Sequence, residues 1–310
     1  MKTYPFKKID AFTGNGSLGN PAGCVYTDLE MTDDDMQQIA RELKGFVSEV
    51  VYCRPASDHE DIDFSLLYYS SECEVEFCGH GTIACMYDVI KSTHSLLSRE
   101  KINILTRKGT LQVHNRMNCE DAVFITAPAC TEIGTDLTAE KISKALNTPF
   151  PSIDARYPVD LLNAGLNTLI VPIATLSGIL SLNPPMELMK QFCESNDIDI
   201  ITVFSMETAY GEDFIRTRVF APKFGYLEDP ATGSGNSALG YYLLKNHLWN
   251  GTMIRIEQGP SQNAPNFVKL DTTMDENGRH RILFGGGATV RIAGSYFLCA
   301  DDAGKEDQGA

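Results

Sequence analysis

Short runs that alternate apolar with polar residues, or stay apolar over strand length, set the pattern of this chain. Phe6 to Phe12, Gly23 to Thr27, Ser48 to Arg54 and Ile62 to Tyr69 have this form, and Lys101 to Arg107, Leu111 to His114 and Ala122 to Thr126 continue it. Two helices interrupt these strands. Thr32 followed by Asp33, Asp34 and Asp35 is an N-cap with an acidic first turn and predicts a helix to about Leu43, while a second opens at His80 and runs to about Ile90 through Ile83, Ala84 and Met86. After residue 138 the order recurs. Thr138 caps a short helix to about Leu146, Leu166 to Ile173 is an apolar strand, Pro185 to Cys193 is helical, and Ile201 to Glu207 and Phe214 to Phe220 are strands. A helix carrying Leu239, Tyr242 and Leu243 follows, and strands at Met253 to Glu257, Phe267 to Leu270, Ile282 to Phe284 and Thr289 to Phe297 close the chain.

The recurrence extends to detail. A glycine-rich turn breaks into a helix twice, as Cys78-Gly79-His80-Gly81-Thr82-Ile83-Ala84 and as Ala231-Thr232-Gly233-Ser234-Gly235-Asn236-Ser237-Ala238. Gly19-Asn20-Pro21-Ala22-Gly23-Cys24-Val25 also has a loose counterpart in Asn163-Ala164-Gly165-Leu166-Asn167-Thr168-Leu169. One unit written twice predicts two domains, residues 1–127 and 128–300, divided in the Pro-, Gly- and Thr-bearing stretch from Pro128 to Thr138. The final strand, about 289–298, is a candidate to cross back to the first domain. The tail 301–310 has nothing to bury and is expected to be disordered.

At 310 residues the chain is long enough for two substantial cores. A net charge of −15, from 26 basic and 41 acidic residues, argues against a nucleic-acid or anionic-membrane partner, since either demands a basic face. No run reaches the roughly 18 apolar residues of a membrane span, and Met1 to Lys8 has no apolar signal core, so a cytoplasmic protein is expected. Nine scattered cysteines fit reduced thiols rather than a disulfide framework. Cys73, Cys78, His80 and Cys85 cluster, but their spacing matches no zinc knuckle, and the expectation is ordinary thiols, a polar histidine and no metal.

Each glycine turn lets backbone N–H groups approach a ligand, and the helix start behind it adds free donors and the positive end of a dipole. Two such cradles predict one small acidic metabolite held between them. Glu49 lies inside an apolar strand, where it is either the solvent-facing member of an alternating run, the commoner case, or a buried carboxyl whose raised pKa suits a general base. His80 stands between Gly79 and Gly81, and Asp229 precedes Pro230 at the second turn, with Ser234 at the helix start behind it. Surface placement and capping would account for each alone. Together with Glu49 they offer proton movement and carboxylate binding with no need for a cofactor.

Ser48-Glu49, Cys78-Gly79-His80-Gly81-Thr82, Glu228-Asp229-Pro230-Ala231-Thr232-Gly233-Ser234, and Asp10-Ala11-Phe12 followed by Gly19-Asn20-Pro21-Ala22 resemble, as a set and in order, the motifs of the phenazine biosynthesis PhzF-like family of isomerases. The resemblance implies an α+β, diaminopimelate-epimerase-like fold: two similar domains, each a curled mostly antiparallel sheet around a central helix, with the active site in the cleft between them. It implies that Glu49 is the proton base and that His80, Asp229 and Ser234 orient substrate and shuttle or stabilise protons. Asn20, Gly81, Gly233 and Ser234 would bind substrate, the two glycines through backbone N–H groups, and the protein would be a homodimer. In the wider superfamily, racemases and epimerases carry one thiol in each glycine turn. Here Cys78 faces Thr232 in the matching place, so a symmetric two-thiol racemase is not expected. A Cys/Thr pair also resembles the hydroxyproline dehydratases related to proline racemase, which makes Cys78 the alternative base. From another class, the same cleft would serve a non-catalytic metabolite-binding protein.

Overall fold

The computed structural model describes residues 1–14, 16–28, 31–56, 60–149 and 152–299; the tail 301–310 lies outside the described residues. Within them the strand-rich pattern becomes a curled sheet of eighteen strands. The first half runs β1 (Lys2–Ala11), β2 (Asn20–Tyr26), α1 (Asp33–Glu42), β3 (Glu49–Pro55), β4 (Phe64–Ser70), β5 (Glu74–Val75), α2 (Gly79–Ser92), α3 (His94–Leu97), β6 (Lys101–Thr106), β7 (Gly109–Asn115), α4 (Met117–Glu120) and β8 (Val123–Thr126). The second half runs β9 (Thr131–Glu132), α5 (Ala139–Ala145), β10 (Asp160–Asn163), β11 (Asn167–Pro172), α6 (Leu176–Leu180), α7 (Met186–Ser195), β12 (Ile200–Ser205), β13 (Ile215–Phe220), β14 (Glu228–Asp229), α8 (Gly233–Lys245), β15 (Ile254–Gln258), β16 (Asn266–Met274) and β17 (His280–Gly286). The last strand, β18 (Ala288–Leu298), pairs antiparallel with β1 from Lys2 to Ala11.

The two halves share one strand order. β2 and β3 run parallel with α1 between them, and β4 and β6 run parallel with α2 between them. The second half does the same with β11 and β12 around α6 and α7, and with β13 and β15 around α8. Antiparallel pairing of β8 with β17 joins the halves into one sheet. The registers then give residue equivalences. Tyr68 pairs with Val75 as Val219 pairs with Asp229, so Val75 corresponds to Asp229, Cys78 to Thr232 and His80 to Ser234. Ala22 pairs with Glu49 as Thr168 pairs with Ile200, so Gly19 corresponds to Gly165, two residues from the position suggested by the sequence counterpart. A shift of two leaves side chains on the same faces of a strand, which is why the sequence pattern cannot detect it.

Sequence accounts for the position of each central helix. From Gly81 to Ile90 every residue of α2 is buried, as apolar residues on all sides require of a helix enclosed by sheet. α8 is buried at Gly233 and from Gly235 to Gly240, where glycine, alanine and serine permit close packing. The cap residues have nearly the same backbone, with φ −129° and ψ 112° at Cys78 and φ −123° and ψ 114° at Thr232. Both helix starts rest on one ring. A Cβ built on Gly79 would lie 3.2 Å from Phe284, a tight contact, and one on Gly233 only 2.3 Å from it, so packing as well as any ligand requires glycine at 233. No helix among the described residues is long and apolar enough to cross a membrane.

Candidate active site

Glu49 opens β3 on the face shared with Val51 and Cys53, because side chains alternate along a strand. That face packs on α2, with Val51 against Gly81. Val50 to Cys53 are all buried, so β3 is not the half-exposed strand in which Glu49 would face solvent. Its side chain retains 21% exposure, and Oε2, buried as an atom, makes no hydrogen bond among the described residues. Burial pushes the carboxyl up to about 7 from an ordinary 4.5. That value suits a base near neutral pH.

His80 lies beside it, with Nε2 3.3 Å from Glu49 Oε2 and Nδ1 3.4 Å from Cys78 Sγ. Burial lowers the imidazole pKa, opposed by the charge of Asp229 and a hydrogen bond to the Pro21 carbonyl, so the ring is held neutral at physiological pH. Cys78 is buried, and its sulfur accepts from the Gly81 amide at 3.3 Å. Burial, with the Glu49 charge second, pushes this thiol well above its ordinary range. A thiol so placed is a poor base at neutral pH.

The second half contributes Asp229, whose Oδ1 accepts from Asn20 Nδ2 at 2.7 Å and whose Oδ2 accepts from the Thr232 hydroxyl. Burial raises the Asp229 carboxyl to about 6, against the opposing pull of His80, Thr232 and Asn20. The charge of Asp229 is felt at His80 and at Cys78, which puts both glycine turns in one electrostatic environment. Asn20 is 1% exposed and also donates to the Ala231 carbonyl at 2.9 Å, which fixes its amide and leaves Oδ1 without a partner among the described residues.

The donors differ from a simple pair of cradles. The Gly81 amide is taken up by Cys78, so the amides of the first turn without a partner among the described residues are those of Gly79 and His80. Thr232 directs its hydroxyl at Asp229 rather than at its own helix, leaving the amides of Gly233, Ser234 and Gly235 free among those residues. Ser234, half-buried on the first turn of α8, has no hydroxyl partner among them. Two facing helix starts with open N–H groups suit a carboxylate or a developing enolate.

Three participants were not legible in the sequence. Gln258 is fully buried at the end of β15 and bonds to Asp229 and Thr232; Asn236 bonds to Gln258; and Tyr226, 43% exposed, feels the charges of Asp229 and Glu49. Only the unusual Glu257-Gln258 end of an otherwise alternating strand hinted at the first. The cysteine cluster does not converge. Cys73 is exposed and Cys85 lies against Cys24 and Cys53; the donor atoms within 4.8 Å of one another are those of Glu49, Cys78 and His80. A separate cavity of about 600 Å³, lined in part by Lys91, Lys269 and Arg255, is less suited to an acid, because each of these cations has an acidic partner: Asp121, Glu120 and Asp213 respectively.

The raised carboxyl also has a consequence for stability. A native pKa of about 7 against an ordinary 4.5 means that the folded state holds the proton more tightly; this contribution is fully present below about pH 4.5 and is lost as pH rises through about 7. Glu49→Gln keeps the neutral form at every pH. It is therefore expected to unfold like wild type near pH 4 but to be more stable at pH 8 by about 3 kcal/mol, read from urea denaturation at both pH values. Equal stability at pH 8 would mean that the carboxylate is solvated.

Comparison with known proteins gives the chain's family and the fold it shares. The family model described as phenazine biosynthesis-like protein matches residues 9–294. "Antisense-enhancing sequence 1" of Schizosaccharomyces pombe is 27% identical over 303 residues, covering 96% of this chain and 100% of the relative. An uncharacterized isomerase of Clostridium acetobutylicum is 26% identical over 297 residues, covering 94% and 97%. The crystal structure of a PhzF-family phenazine biosynthesis protein from Bacillus anthracis shares the fold, with TM-score 0.82 at 23% identity over 96% of this chain and 100% of that one. The chain belongs to the phenazine biosynthesis-like family.

Proposed function

We propose that this member of the family is a cofactor-independent isomerase of a small carboxylate-bearing metabolite, in which Glu49 removes a proton from an activated carbon and returns it elsewhere on the same molecule. The observation that carries the proposal is a carboxyl raised to about 7 by burial, beside a neutral imidazole and between two helix starts with free amides. The name of the Clostridium acetobutylicum relative supports the reaction class.

In this scheme the amides of Gly79, His80, Gly233, Ser234 and Gly235 hold the substrate carboxylate and the negative charge that develops when the C–H bond breaks. Glu49 takes the proton and keeps it beside His80. Asn20 and Thr232 hold Asp229 in place, where it orients substrate from the opposite half. Domains 1–127 and 128–300 closing on the ligand would exclude water that could exchange the proton, and a homodimeric, cytoplasmic protein belongs to the same proposal. A second scheme makes Cys78 the base of a dehydratase or epimerase, favoured by its 3.4 Å approach to His80 Nδ1.

A panel of small unsaturated and 2-substituted carboxylates incubated in deuterium oxide tests the isomerase. At least one compound should gain deuterium or isomerise, by mass spectrometry and NMR. Compounds that bind and never exchange would instead make the chain a metabolite-binding protein. With an exchanging compound, kcat/KM should fall tenfold per pH unit below about 7 and level off above it, since the base must be ionised. A profile flat from pH 5 to 8 would remove Glu49 from that role.

A further inference from the structure

The amide of Gln258 uses its full hydrogen-bonding capacity. Oε1 accepts from the Thr232 amide at 2.9 Å and from Asn236 Nδ2 at 2.6 Å, while Nε2 donates to the Asp229 carbonyl at 2.9 Å and to Thr232 Oγ1 at 3.0 Å. Asn236 Nδ2 also donates to the Thr232 carbonyl at 2.8 Å, while the Thr217 hydroxyl has two acceptors for its single proton, the Glu257 carbonyl at 3.2 Å and Asn236 Oδ1 at 3.3 Å. The amide orientations follow from these partners, because only one end of each can donate. Since Gln258 donates to Thr232 Oγ1, that hydroxyl must place its single proton elsewhere, and Asp229 Oδ2 is the acceptor it reaches. Asn236, Gln258 and Thr232 thus form a one-way chain of donors ending on a carboxylate. Gln258 and Asn236 are completely buried, so water does not compete with the chain.

We infer that Gln258 is a positioning residue that acts through Thr232, locking its hydroxyl as a permanent donor to Asp229 and so keeping Asp229 a proton acceptor within the cleft. The matching place in the first turn holds Cys78, whose sulfur instead caps its own helix through Gly81. The lost thiol symmetry thereby gains a purpose: the threonine belongs to the machinery of the aspartate. The groups that face Asp229 are Glu49 from β3, Cys78 and His80 from α2, and Tyr226 from the segment before β14. None is a lysine or arginine, so Thr232 and Asn20 supply the donors that hold its charge.

The inference assigns the role of Asp229 within the proposed reaction, yet its test needs no substrate. Protein with ¹³C-labelled aspartate carboxyls is titrated by NMR, and Asp229→Asn identifies the resonance. Gln258→Leu and Thr232→Val are each expected to move the Asp229 midpoint upward by roughly one pH unit, a tenfold change in proton affinity. Thr232→Ser, which restores the hydroxyl, should titrate like wild type. In the Thr232→Val background, Gln258→Leu should add nothing, because the route through the hydroxyl is already gone. An equal shift in that background, or no shift on Thr232→Val, would overturn the inference. Thr232→Val preserves shape and Thr232→Ser the hydroxyl, so the hold of Thr232 on Asp229, without which Gln258 has no route, is tested even if Gln258→Leu fails to fold. A shifted midpoint in a chain that exchanges no substrate would uphold the relay while removing the isomerase.

Discussion

Glu49→Gln should slow turnover by about 10²–10⁴-fold, the range of a lost general base, while KM stays within a few-fold because glutamine preserves shape and the amides that hold the ligand are untouched. The Oε2 facing His80 becomes a group that cannot take a proton, and the matching position in the second half, Ile200, offers no carboxyl in its place. Cys78→Ala should keep activity within about tenfold of wild type, since burial holds that thiol protonated at neutral pH. The reverse pattern, with Cys78→Ala inactive and Glu49→Gln intact, would establish the thiol mechanism. Stopped-flow or coupled assays at pH 8, where Glu49 is ionised in wild type, give the cleanest comparison.

The largest effect on stability is expected at Arg216. Both it and Glu257 are fully buried side chains; Arg216 donates to Glu257 Oε2 at 3.0 Å and to the carbonyls of Gly259 and Ser261, while Glu257 accepts from the amides of Ala209 and Tyr210. The pair ties the segment after β12 and the segment after β15 to β13, next to Gln258. Arg216→Met leaves a buried carboxylate without its cation, at a cost of about 3–5 kcal/mol. Adding Glu257→Leu removes the stranded charge and should recover much of that loss, measured by urea unfolding with an unchanged m-value. A single-variant cost under about 1 kcal/mol would mean that water reaches Glu257.

Strand-level organisation was legible because its signal is local. Every longer strand except β10 was marked by short apolar or alternating runs, and the caps Thr32 and Thr138 each accept the backbone bond their position predicts, at 3.2 and 3.4 Å. The two-residue strands β5, β9 and β14 are too short to carry a period, and β10, Asp160-Leu161-Leu162-Asn163, has only two apolar residues between polar ends, unlike the equally short but apolar β8.

The site was legible as residue types but not as directions. Glu49 in an alternating run reads most simply as exposed, yet sheet and helix cover both faces of β3 and turn it inward. Glycines in the two turns pointed to an anion cradle, and the structure adds that Phe284 leaves Gly233 no space for a side chain and crowds Gly79. Gln258 was hinted at only by the polar end of β15, which does not by itself tell a buried strand end from an exposed one; its four bonds exist only once α8 is docked.

At the centre of this account is a base poised by burial rather than by a charged partner. ¹³C NMR titration of glutamate-labelled protein, with Glu49→Gln removing one resonance, reads that property directly. The account predicts that the Glu49 carboxyl titrates near pH 7. A midpoint near the ordinary 4.5 would contradict it, because the carboxylate would then be solvated and no better poised for proton abstraction than any surface glutamate.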